Sequence, residues 1–144
     1  MEIYRPMTAF DVDAVYNIEV EAFSVPWTYE AIKGELVNPK AIYIVAEIDD
    51  IVRGYAGLWQ IIDEGYITNI AVDDAFRHRG IGYELVKKLE VIGREKGIDR
   101  FTLEVRESND AAIGLYKKMG FEVCGKRINF YDRPKEDAII MWLN

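Results

Sequence analysis

The chain has 144 residues, half of them apolar and 30% charged, and a formal net charge of −7. That length suits one domain, residues 1–144, with a full hydrophobic core, and the composition is that of an ordinary globular protein. The acidic balance argues against nucleic acid as the main partner, since phosphate binding needs a basic field, and it suits a cationic substrate such as an amine or a basic peptide.

The first residues, Met1-Glu2-Ile3-Tyr4-Arg5-Pro6, lack the apolar core of a leader peptide. No stretch nears the roughly 20 apolar residues of a membrane span, so a cytoplasmic protein is expected. Residues 2–6 read as a short strand. Thr8 to Asp11 resembles a capping signal, and Ala14, Val15, Ile18 and Ala22 share a helical face, predicting a helix over 9–22. Thr28 can cap a second helix that ends near Asn38-Pro39. The apolar run Ala41–Ala46 suits a strand covered on both faces. Asp49-Asp50 then turns into a strand near 52–62, and Asp63-Glu64-Gly65 turns into a strand over Tyr66–Val72. Ile81, Leu85, Leu89 and Ile92 mark a helix ending before Gly97. Phe101–Arg106 alternates as a strand, Ser108-Asn109 can cap a helix reaching Met119, and strands near 121–131 and 136–143 follow. The order β-α-α-β-β-β-α-β-α-β-β predicts an α/β (α+β) fold: a mixed, mostly antiparallel central sheet with helices on both faces.

Single copies of cysteine (Cys124) and histidine (His78) rule out an internal disulfide, a cysteine zinc cluster and a multi-histidine metal site, so no metal is expected. Cys124, in an apolar strand, reads as a small core residue rather than a nucleophile. The turn Arg77-His78-Arg79-Gly80-Ile81-Gly82 lies between a strand and a helix, where unpaired backbone N–H groups and the helix dipole favour an anion. Its glycines let the main chain approach a phosphate closely, and a bound anion would offset the arginines' opposition to the dipole. A glycine-eased turn with a solvated basic rim, His78 included, explains the same residues. A P-loop is excluded by the lack of Gly-Lys-Ser/Thr, and Leu85 stands where a dinucleotide fingerprint needs its third glycine.

Arg77-x-x-Gly80-x-Gly82 resembles the Gln/Arg-x-x-Gly-x-Gly/Ala motif of the GNAT (GCN5-related N-acetyltransferase) superfamily. Asn69–Asp73 before it, and Ser108–Tyr116 with Gly120-Phe121 after it, match as well. The likeness runs over essentially the whole chain. Glu21–Thr28, Leu103–Arg106, Tyr131 and Glu136–Met141 bring it nearest the RimI-type alanine N-acetyltransferases, which modify the N-terminus of a small-subunit ribosomal protein. The resemblance implies acetyl-CoA as cosubstrate. It implies that the backbone of Ile70, Ala71 and Val72 pairs with the pantetheine arm. The amides of His78, Arg79, Gly80, Ile81, Gly82 and Tyr83 would cradle the pyrophosphate beside Arg77, with Asn109 touching the cofactor further along.

Acetyl transfer needs a neutral amine, and an α-amino group with a pKa near ~7.7–8.0 is mostly protonated at neutrality. Glu104 points away from the apolar face of Phe101, Leu103 and Val105, and a glutamate inside a short buried strand is unusual. An ion pair with Arg106 or a solvated face explains it equally, whereas the resemblance makes Glu104 the general base. Tyr116 shares a helical stripe with Ala112, Leu115 and Met119, which suits a packed core tyrosine; the resemblance makes it the general acid. Trp27 and Tyr131 fall in segments that line the acceptor site in RimI-like enzymes. Glu136 or Asp137 could support a positive peptide N-terminus, on charge alone. A broad-specificity protein N-terminal acetyltransferase, a small-amine acetyltransferase and a non-catalytic acetyl-CoA-binding module stay open beside the ribosomal-protein reading.

Overall fold

Seven strands form one sheet in the order β1-β2-β3-β4-β5-β7-β6, in a computed structural model that describes residues 1–144. The strands are β1 (Glu2–Pro6), β2 (Ala41–Ile48), β3 (Ile51–Ile61), β4 (Glu64–Val72), β5 (Arg100–Arg106), β6 (Glu122–Tyr131) and β7 (Glu136–Leu143). The helices are α1 (Val12–Ala22), α2 (Tyr29–Gly34), α3 (Ile81–Glu95) and α4 (Asp110–Lys118). All pairings are antiparallel except β4 with β5, the pair joined by the α3 crossover. The mixed, mostly antiparallel sheet expected from the element order is therefore present. The helix predicted over 9–22 opens with a tighter 3-10 turn, Ala9–Asp11, before α1 proper. Asp11 is buried there because Arg5 and the Thr8 amide hold its carboxylate, at 2.7 Å each.

Strand alternation divides the apolar residues between two layers. Ile44, Ala46, Ala56 and Leu58 pack with Ile81, Leu85 and Leu89 of α3 and with Tyr116 of α4. Tyr43, Val45 and Tyr55 project the other way, against Val12, Val15 and Ile18 of α1 and Ile32 of α2. Helices thus cover both faces, and β2 is buried on both, as its unbroken apolar run requires. Edge strand β6 lacks this cover, and Cys124 on it is exposed; the expectation of a core cysteine is corrected.

Two irregularities shape the middle of the sheet. A β-bulge leaves Thr68 unpaired between the pairs Leu58–Ile67 and Gly57–Asn69, so Ile67 and Asn69 face opposite layers. Ahead of the bulge, β4 and β5 pair only at Glu64–Arg100, Gly65–Phe101 and Tyr66–Thr102. Beyond Tyr66 the two strands part, and β4 keeps its β3 partner on one side alone.

Candidate active site

Ile70, Ala71 and Val72 lie on the free edge of β4, past the point where β5 separates. The turn Arg77–Gly82 follows directly. His78 (φ 64°) and Gly80 (φ 80°) are left-handed, and they fold the chain sharply into α3. A Cβ on Gly80 would meet only open space, so backbone conformation is what selects glycine there. None of the amides from His78 to Tyr83 donates within the chain; the first to do so is that of Glu84, to the Gly80 carbonyl at 3.1 Å. A row of unused donors at a helix N-terminus is a ready site for a phosphate. Arg77 lies 3.4 Å from Asp74 and reaches the Val72 carbonyl, while Arg79 stacks over Phe76 at 4.7 Å. Beside the turn a groove of about 600 Å³ is lined by Tyr4, Arg79, Gly80, Tyr83, Leu115 and Lys118, among others. Asn109 caps α4, its side chain accepting from the Ala112 amide at 3.1 Å.

A second cavity, of about 350 Å³, opens on the α1–α2 side. Trp27, Trp59, Tyr66, Phe130 and Tyr131 give it aromatic walls, and Glu104 supplies its only carboxylate. Glu104 points into this layer because Phe101, Leu103 and Val105 take the α3–α4 face of β5. Its side chain is 8% exposed, accepts from the Tyr66 hydroxyl, and forms an ion pair with Arg127 at 2.5 Å. The pairing envisaged with Arg106 is corrected. Arg106 instead binds Glu136 and the carbonyls of Asp132 and Pro134, with Tyr131 under its guanidinium at 4.5 Å. Burial, then the neighbouring Glu104, pushes the Tyr131 phenol up to about 12.

Tyr116 does not line this cavity. It lies on the α3–α4 face, nearly enclosed, with Phe121 beside its ring and no hydrogen bond from its hydroxyl. Burial raises its pKa well above the ordinary phenol value. Glu104 and Tyr116 are thus on opposite faces of the sheet. Neither Glu136 nor Asp137 lines this cavity, and both carboxylates are held within the chain. Glu136 is bound by Arg106 and the Ser108 amide, and Asp137 by the Asn129 amide.

Trp59, Tyr66 and Arg127 escaped the sequence reading because strand aromatics and a strand arginine are ordinary surface or core residues until the sheet gathers them. Glu19 also escaped, although a glutamate beside Ile18 on the apolar face of α1 was a visible signal. It is 1% exposed and accepts from the Trp27 amide (2.9 Å), Asn69 (3.2 Å) and the Tyr55 hydroxyl. Asn69 in turn accepts from Tyr43, whose hydroxyl lies 3.0 Å from that of Thr68. This buried chain of polar contacts ties the loop carrying Trp27 to the bulge in β4.

An unpaired strand edge running into a turn of unused amide donors suits a long acyl donor that carries a pyrophosphate, and the fold is that of an N-acetyltransferase. The chain belongs to the GNAT acetyltransferases: the model of the Acetyltransferase (GNAT) family matches residues 12–121. It is 43% identical over 140 residues to a Bacillus subtilis protein provisionally named a [ribosomal protein bS18]-alanine N-acetyltransferase, covering 96% of this chain and 93% of that one. The [ribosomal protein bS18]-alanine N-acetyltransferase of Haemophilus influenzae is 34% identical, with 98% and 97% covered. The crystal structure of the Escherichia coli ribosomal-protein-S18-alanine N-acetyltransferase superposes with a TM-score of 0.92 at 31% identity, covering 99% of this chain and 93% of the other.

Proposed function

We propose that residues 1–144 act as one catalytic unit in the cytoplasm, transferring acetyl from acetyl-CoA to a protein N-terminus, the N-terminal alanine of a small-subunit ribosomal protein. The observation that carries this reading is the aromatic cavity with Glu104 in its wall, adjoining the strand opening that would take the donor. The names and full-length similarity of the relatives support the choice of acceptor.

The donor's pantetheine arm would add to the free edge of β4 at Ile70, Ala71 and Val72. Its pyrophosphate would take the amides of His78 to Tyr83, with Arg77 and Asn109 flanking. The acceptor's amine enters between Trp27 and Tyr131 on the opposite side. Glu104 takes one proton from the ammonium, directly or through water. The freed amine attacks the thioester carbon, and unpaired amides of β4 would donate to the developing oxyanion. Collapse forms the amide and breaks the C–S bond. Tyr116, kept protonated by its burial, gives its proton to the departing thiolate and is reprotonated by the proton the nitrogen sheds.

Incubation of ribosomal proteins with enzyme and acetyl-CoA, followed by intact-mass measurement, should show one acetyl group gained at a single N-terminal alanine. Peptides headed by alanine, serine or methionine, with polyamines as competitors, test the acceptor class. Efficient turnover of a free polyamine with every peptide untouched would reject a protein substrate.

A further inference from the structure

The only carboxylate in the acceptor cavity already has a cation on it. Arg127 reaches from edge strand β6 to place Nε 2.5 Å from Glu104, with its guanidinium carbon 5.9 Å from the centre of the Phe130 ring. A cation held between a carboxylate and an aromatic wall is the arrangement an incoming ammonium would need. The two arginines of this region differ in how they are held. Arg106 is fixed by Glu136, by two carbonyls and by Tyr131. Arg127 has Glu104 as its one ionic partner, and its side chain is 59% exposed. Turning it outward restores its hydration and uncovers Glu104, which keeps the Tyr66 hydroxyl as its donor.

We propose that Arg127 is an internal competitor of the acceptor: its guanidinium holds Glu104 until the substrate's ammonium displaces it. This rests on the reading of the cavity as the acceptor site. A cation tethered through a few side-chain bonds acts at an effective concentration on the order of millimolar, so every acceptor meets the same threshold before it can give up its proton. The energetic consequence is uniform. Removal of Arg127 lowers the KM of a peptide and of a minimal amine by one common factor, because each is relieved of the same displacement.

The test is steady-state kinetics of Arg127→Gln with an alanine-headed octapeptide and with alaninamide, acetyl-CoA saturating. Both acceptor KM values should fall together, by about fivefold as expected for one partly exposed ion pair, with kcat no lower than wild type. Arg127→Lys, which keeps the charge, should fall between the two. An unchanged or raised KM for either acceptor, or a lowered kcat, overturns the inference, since Arg127 would then bind the acceptor or orient Glu104. A wild-type enzyme that acetylates neither compound instead overturns the acceptor reading and this inference with it. Wild-type turnover with unmoved variant KM values overturns this inference alone.

Discussion

In the proposed mechanism Glu104 and Tyr116 divide the proton traffic, and each role has a distinct kinetic signature. Glu104→Gln should lower kcat/KM for an N-terminal peptide at neutral pH by about 10²- to 10⁴-fold, the usual worth of a positioned base. Part of the loss should return at alkaline pH, because an α-amine with a pKa near ~7.7–8.0 then arrives already neutral. A pH profile of the variant checks this, and a loss that stays constant with pH removes Glu104 from the base role. The raised pKa of Tyr116 keeps the phenol protonated across the range in which the enzyme can be assayed. Tyr116→Phe should therefore depress kcat at every pH without moving either limb of the profile. A shifted alkaline limb would show that Tyr116 titrates during turnover.

Among the elements, β4 has the most demanding part: a free edge, a bulge and a wall of the aromatic cavity within nine residues. Its bulge is held through Glu19 of α1, by way of Asn69, Tyr43 and Thr68. Glu19→Ala leaves the Asn69 amide, the Tyr55 hydroxyl and the Trp27 amide without their acceptor in a buried layer. Leaving buried donors unsatisfied costs about 1–3 kcal/mol each before relaxation, so a loss of roughly 3 kcal/mol is expected. Urea unfolding measures it directly. The peptide KM should rise as well, because Trp27 loses its anchor; a variant with unchanged stability and KM would contradict this account of the bulge.

At the scale of the whole molecule, the titrating groups predict a stability plateau bounded on both sides. Asp11 is held below its ordinary pKa of 3.8 by Arg5, then by the Thr8 amide. Glu136 is held below 4.5 by Ser108, then by Arg106. The folded chain keeps these carboxylates ionised to lower pH than the unfolded chain does. Their contribution is therefore complete above those ordinary values and is lost as pH falls through the lowered ones. Tyr43, Tyr55, Tyr66 and Tyr116 are displaced the other way, chiefly by burial, from an ordinary value of 10. The unfolded chain releases those protons first, so stability should decline as pH rises above 10. Thermal melts across pH should show both declines. Asp11→Asn should lower stability by roughly 2 kcal/mol at neutral pH, with the difference from wild type closing below about pH 3.8.

Local rules were enough for the elements. Helical spacing located α3 and α4, the apolar run located β2, and the glycines of Arg77–Gly82 located the turn into α3, because each depends on residues adjacent in the chain. Even the side of β5 on which Glu104 lies followed from alternation with Phe101, Leu103 and Val105. Partnership depended on the folded sheet. Arg127 stands 23 residues beyond Glu104 in sequence yet meets it because β7 inserts between β5 and β6, carrying β6 out to the sheet edge. The aromatic cavity likewise draws Trp27 from a loop, Trp59 and Tyr66 from neighbouring strands and Phe130 from that edge. Chain-local chemistry fixes what each segment is. Strand order and the parting of β4 from β5 decide which segments face one another, since those pairings are selected by burial summed over the whole sheet.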